Sequence, residues 1–193
     1  MKVGIRADAS VFHGAGHVMR CLTLARELRS ADADVFFLSR ALPGNLFALI
    51  EKQGFMLFPL PYEDKGNNGE GLPPPDADRS PLVPWDLDIQ ETMAILAKNL
   101  IHLDWLIVDG YAFDFRWEER SRVQADRIMV IDDMANRVHD CDLLLDQNYL
   151  QDYEARYEQW TPPRCRKLLG PQYALLRSEF NELRKFRTWV NKP

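Results

Sequence analysis

The stretch Gly14-Ala-Gly-His-Val-Met-Arg-Cys21 follows the apolar run Val3 to Ile5 and opens a segment with apolar residues at Val18, Cys21, Leu22, Ala25 and Leu28. Spacings of three and four predict a helix, and the compact run before them predicts a buried strand. Two glycines between strand and helix let the backbone turn tightly and come close to a ligand. The unpaired N–H groups of the helix start attract anions, so a phosphate could sit there. His17 falls in the first helical turn, where the positive end of the helix dipole disfavours imidazolium and favours a neutral ring able to accept a proton. The same strand, turn and helix also occur as plain architecture in any parallel α/β protein. The motif lacks the GxGxxG spacing of a dinucleotide site and the GK[ST] of a P-loop.

Working outward, Val35 to Leu38 reads as a second buried strand, Pro43 as the start of a helix carrying Leu46, Leu49 and Ile50 and stopped by Gly54, and Met56 to Leu60 as a third strand. Two βα units followed by a strand make half of a doubly wound sheet. From Pro61 to Pro84 periodicity is lost in glycines, asparagines, acids and three consecutive prolines, and this stretch reads as a disordered loop or as a lid. Asp86 is expected to cap a helix through Ile89, Met93, Leu96 and Leu100, followed by a short strand, Leu106 to Val108. Asp109, Gly110 and Tyr111 then lie at a strand's carboxyl end, the edge where open α/β sheets bind ligands. A helix from about Asp114, strands at Ile128 to Ile131 and Leu143 to Leu145, and a strand and turn at Leu168 to Pro171 complete the alternation. The acids that end these strands, Asp132, Asp133 and Asp146, have no histidine at ligand spacing, so turns and polar contacts are expected rather than a metal. His102 and His139 read as incidental, and His13 as a possible loop ligand with no partner that the sequence assigns.

The 193 residues suffice for one α/β domain with a real core, at 46% hydrophobic and 27% charged residues. A net charge of -5 with no basic cluster gives no reason to expect nucleic acid. No apolar run has transmembrane length, and Arg6 and Asp8 interrupt any signal-like start, which reads as cytoplasmic. Cys21, Cys141 and Cys165, odd in number and far apart in the chain, read as reduced buried thiols, with Cys21 packing on the apolar side of the first helix.

Four stretches in this order, RADASVFHGAGHVMRCLTLA, LIVDGYAFD, IDDMANRVHDCDLLLDQN and LLGPQYALLRSEF, resemble the UDP-2,4-diacetamido-2,4,6-trideoxy-β-L-altropyranose hydrolases of pseudaminic acid biosynthesis. That family is related to spore-coat polysaccharide proteins and, more distantly, to MurG-type glycosyltransferases. The resemblance runs to about Phe186. It implies the N-terminal domain of a GT-B fold: a Rossmann-like parallel sheet flanked by helices over residues 1–177, then a linker helix over 178–193 leading to a C-terminal domain of the same enzyme. It also implies a UDP-sugar substrate, no cofactor, and water attack at the anomeric carbon with His17 as base. Asp8, Gly14, Gly16, Arg20, Asp109 and Tyr111 would be substrate-binding, Asp8 and Asp109 standing behind the loop. At position 110 the resemblance leads one to expect a bulkier or polar residue, where this chain has Gly110. UDP is a good leaving group, so one base and donors for the diphosphate suffice. A glycosyltransferase, with an acceptor hydroxyl replacing water, and a non-enzymatic sugar- or partner-binding domain are the competing readings.

Overall fold

A computed structural model describes residues 1–63, 83–150, 153–176 and 180. Seven strands form one wholly parallel sheet: β1 (Lys2–Ala7), β2 (Asp34–Arg40), β3 (Met56–Leu60), β4 (Leu103–Asp109), β5 (Ala125–Ile131), β6 (Leu143–Asp146) and β7 (Arg166–Leu169). Their spatial order is β3-β2-β1-β4-β5-β6-β7. This is the Rossmann order, extended at one edge by β7.

Helices cover both faces, as a parallel sheet buried on both sides requires. On one side α1 (Gly16–Ser30) and α2 (Phe47–Lys52) contribute Val18, Cys21, Leu22, Ala25 and Ile50 to a core with Val3, Ile5, Phe37 and Ile107. On the other, α3 (Trp85–Lys98) and α4 (Phe115–Ser121) bring Ile89, Leu96 and Trp117 against Leu38, Leu106, Ile128 and Leu144. The switch from one face to the other falls between β1 and β4, where Ala7 pairs with Asp109. A crevice opens outside the carboxyl ends of strands at such a point.

The strand expected at 56–60 forms over those residues, and Pro59 is tolerated because β3 lies at the sheet edge, paired among the described residues only with β2. The helix expected from about Asp114 forms as α4, with Asp114 at its cap position and the carboxylate accepting from the Arg116 N–H. Two expected helix starts are corrected. Gly44, at φ +78°, holds Pro43 and its neighbours in a turn, so α2 begins only at Phe47. Pro84 occupies the cap position of α3, which leaves Asp86 inside the first turn. β4 starts three residues earlier than expected because Leu103 pairs with Ala125 and Trp105 with both Val3 and Arg127. Residues 64–82 of the expected loop, and all of the expected 178–193 linker helix except Phe180, lie outside the described residues. Among the described residues no helix is long and apolar enough to cross a membrane.

Candidate functional site

The loop from Ser10 to Gly14 closes on itself through two backbone hydrogen bonds, Ser10 N–H to Gly14 O (3.2 Å) and Gly14 N–H to Ser10 O (2.8 Å). Gly14 takes φ +75°, a conformation that disfavours any side chain. A methyl group built on Gly14 or Gly16 would meet nothing within 4 Å, so the loop faces open space. Among the described residues no side chain caps α1, and the Met19 N–H donates to Ala15 O at 3.0 Å. The helix start therefore presents backbone donors, the arrangement that suits an anion.

His17, Arg20 and Cys21 lie three and four residues apart and so share one helical face. All three converge on Asp109, the last residue of β4. His17 Nδ1 lies 2.6 Å from Asp109 Oδ1, Arg20 Nη2 donates to Oδ1 and Nε to Oδ2 at 2.6 Å each, and the Cys21 thiol reaches Oδ2 at 3.4 Å. Asp109 is fully buried. Burial alone would push its carboxyl up, but the hydrogen bonds from Arg20 and His17 outweigh this and hold it below the ordinary carboxylate value. An ionised carboxylate only accepts, so the imidazole nitrogen facing it carries a proton, and in the neutral ring Nε2 bears the lone pair. The 3.3 Å approach of Arg20 Nη2 to Nδ1 is then a meeting of two donors that share Oδ1. Burial, together with Asp109, pushes the Cys21 thiol well up, which fits a packed and unreactive group.

Tyr111 meets the His17 ring edge-on at 4.8 Å, and its hydroxyl lies 3.5 Å from Asp133 Oδ2. Asp133 also faces Arg20 Nη1 at 3.5 Å. Sequence reasoning gave Asp133 only turn and polar contacts, and nothing local marks it as a neighbour of α1. Gly110 now has a physical reason: a Cβ there would stand 2.8 Å from the Phe113 ring. Arg137 bonds the carbonyls of Phe113 (2.7 Å) and Gly110 (3.1 Å) and so braces this loop.

Between the two loops lies a cavity of about 50 Å³, lined among others by Asp8, His13, His17, Arg40, Asp109 and Tyr111. That is room for a few waters or one small group of a ligand, not for a whole nucleotide sugar. Its far wall is ionic. Arg6, fully buried, grips Asp8 (2.5 and 2.8 Å) and Asp88 (3.1 and 2.5 Å), and Arg40 joins Asp88 at 2.6 Å and Glu91 at 2.6 Å. The Arg40 N–H also donates to Asp8 at 2.7 Å. Thus His17, Arg20, Asp109 and Tyr111 form one cluster, with Gly14 in the loop before it and Gly16 opening α1. Asp8 stands across the cavity with both oxygens engaged by protein groups.

His139 is more than incidental. Its Nδ1 lies 2.7 Å from Glu118 Oε1, both side chains fully buried, and the pair pins the β5–β6 connection to α4. Cys141 and Cys165, distant in sequence, come within 3.5 Å as free buried thiols. Among the described residues no three His, Cys, Asp or Glu side chains are grouped to hold a metal ion.

Fold and site together define a Rossmann-like parallel α/β domain with a histidine–carboxylate pair at the switch point of its sheet. No protein-family model matches the chain. The chain is 27% identical over 181 residues to the UDP-2,4-diacetamido-2,4,6-trideoxy-beta-L-altropyranose hydrolase of Campylobacter jejuni, a distant similarity that covers 93% of this chain. It spans about half, 53%, of that relative's length. Among solved structures, MurG of Acinetobacter baumannii is similar over 74% of this chain and 40% of its own, with 15% identity and a TM-score of 0.48.

Proposed function

We propose that this chain is the nucleotide-sugar-binding domain of a GT-B-type enzyme, with the diphosphate at the uncapped start of α1 and His17 as the base. The observation that carries the reading is the 2.6 Å contact of His17 Nδ1 with the buried, ionised Asp109, beside bare helix-start donors. It leaves the opposite ring nitrogen to take a proton from an attacking hydroxyl. The attacking oxygen forms a bond to the anomeric carbon, the bond from that carbon to the phosphate oxygen breaks, and the nucleoside diphosphate leaves with the electron pair. No general acid is needed for such a leaving group.

Two attacking groups suit this geometry. Similarity to the Campylobacter hydrolase favours water, giving a UDP-sugar hydrolase, while an acceptor hydroxyl in its place gives a glycosyltransferase. Calorimetry with UDP and UDP-sugars tests binding. Incubation with and without sugar acceptors, scoring free sugar against transferred product, separates the two chemistries. Absence of both binding at millimolar ligand and UDP release, in the chain and in any longer protein containing it, would sink the reading.

A further inference from the structure

His13 stands on the turn that precedes the glycines, and that turn is rigidly held. Besides the two backbone bonds between Ser10 and Gly14, the Ser10 hydroxyl accepts from the N–H groups of Phe12 (3.2 Å) and His13 (2.9 Å). The Val11 N–H donates to Pro43 O at 2.9 Å, tying the turn to the β2–α2 connection. The half-buried His13 ring lines the same small cavity as His17. Among the described residues no hydrogen bond or ion pair engages it.

The charged and titratable groups around this cavity are His17 from α1, Asp8 after β1, Arg40 from β2, Asp88 from α3, and Asp109 and Tyr111 from the end of β4. Burial, and then the neighbouring His17, lower the His13 pKa, with Asp8 acting the other way. Asp8 is a weak counter-charge here, because Arg6 already neutralises it. An anion at the start of α1 would reverse this balance, since a nearby negative charge favours imidazolium.

We propose that His13 is a second anion-reading side chain of this site: when the diphosphate of a nucleotide sugar settles on the start of α1, the ring takes up a proton from solvent and donates a charge-assisted hydrogen bond to it. This rests on the nucleotide-sugar reading above. Binding then tightens as pH falls through the titration of His13, and a rise of about one in its pKa on binding is worth about tenfold in affinity.

The test uses UDP-N-acetylglucosamine, whose diphosphate diester does not titrate near neutrality, so any proton uptake belongs to the protein. The chain has four histidines, whose ring resonances can be followed by NMR and assigned with His13→Gln and His17→Asn. The expected result is a higher titration midpoint for His13 in the saturated protein. His13→Gln should bind several-fold more weakly at the acidic end and converge with the parent at the alkaline end. An unchanged His13 midpoint, while the backbone N–H signals of Gly14 to Val18 shift with ligand, overturns the proposal and leaves the nucleotide-sugar reading standing. No shift in either set at millimolar ligand overturns both.

Discussion

Replacing Asp88 by Asn removes the charge that two buried arginines share. Asp88 accepts from Arg6 Nε and Nη2, from Arg40 Nη2 and from the Trp117 indole at 3.0 Å, and it is only 3% exposed. Burial pushes its carboxyl up, but Arg6 and Arg40 overcome that and bring it from 3.8 down to about 2. Such a fall corresponds to roughly 2–3 kcal/mol in favour of the ionised form. The folded value lies below the unfolded one, so this stabilisation is fully present above the unfolded value of 3.8 and is lost as the pH falls through about 2. Asparagine also turns an amide donor toward guanidinium donors, and breaking a buried pair from one side costs about 3–5 kcal/mol. At about 2–4 °C per kcal/mol for a domain of this size, the Tm should fall by roughly 6–20 °C. Urea and thermal unfolding followed by circular dichroism measure both, with the gap between variant and parent narrowing toward pH 2. Asp88→Asn/Arg40→Met should lose less than the sum of its single changes, because the second change removes a cation that the first left unpaired. A loss below about 1 kcal/mol for Asp88→Asn, or strict additivity in the double variant, would refute the reasoning.

In an active protein containing this chain, His17→Asn should keep its melting curve and UDP affinity while turnover falls by ~10²–10⁴. Equal loss of affinity and rate would assign His17 to holding the phosphate. Gly110→Ala should destabilise by about 1–3 kcal/mol in urea unfolding, since its methyl would press on the Phe113 ring, and a neutral result would mean that the loop yields freely. All three thiols are buried, so an aromatic disulfide reagent should leave the native protein largely unmodified and titrate three groups after unfolding. Rapid labelling of a native cysteine would contradict the packing of α1 or of the β6–β7 edge.

Much of the fold is legible in the sequence because its signals are local. The apolar runs that become β1, β2, β3 and β5 and the three-and-four spacing of α1 are properties of a few neighbouring residues. Helix starts are less legible: Pro43 and Asp86 carry the right chemistry for a start, but a left-handed Gly44 and the position of Pro84 decide otherwise. The glycine loop, His17 and the polar strand end at Asp109 could also be singled out, each from its place beside a predicted element.

What joins those residues is absent from any short window. His17 and Asp109 are 92 positions apart, and Arg6 and Asp88 are 82 apart. Asp133 gains its place beside Arg20 and Tyr111, His13 its place in the cavity of His17, and Cys141 its nearness to Cys165 only once the sheet is assembled. By itself the sequence determined the alternation of strands and helices and a glycine turn with a histidine behind it, because periodicity and glycine act within a turn or two. The tertiary structure alone decided which carboxylate orients that histidine and which buried arginines wall the cavity, because strand order, not chain order, sets the neighbours of a side chain.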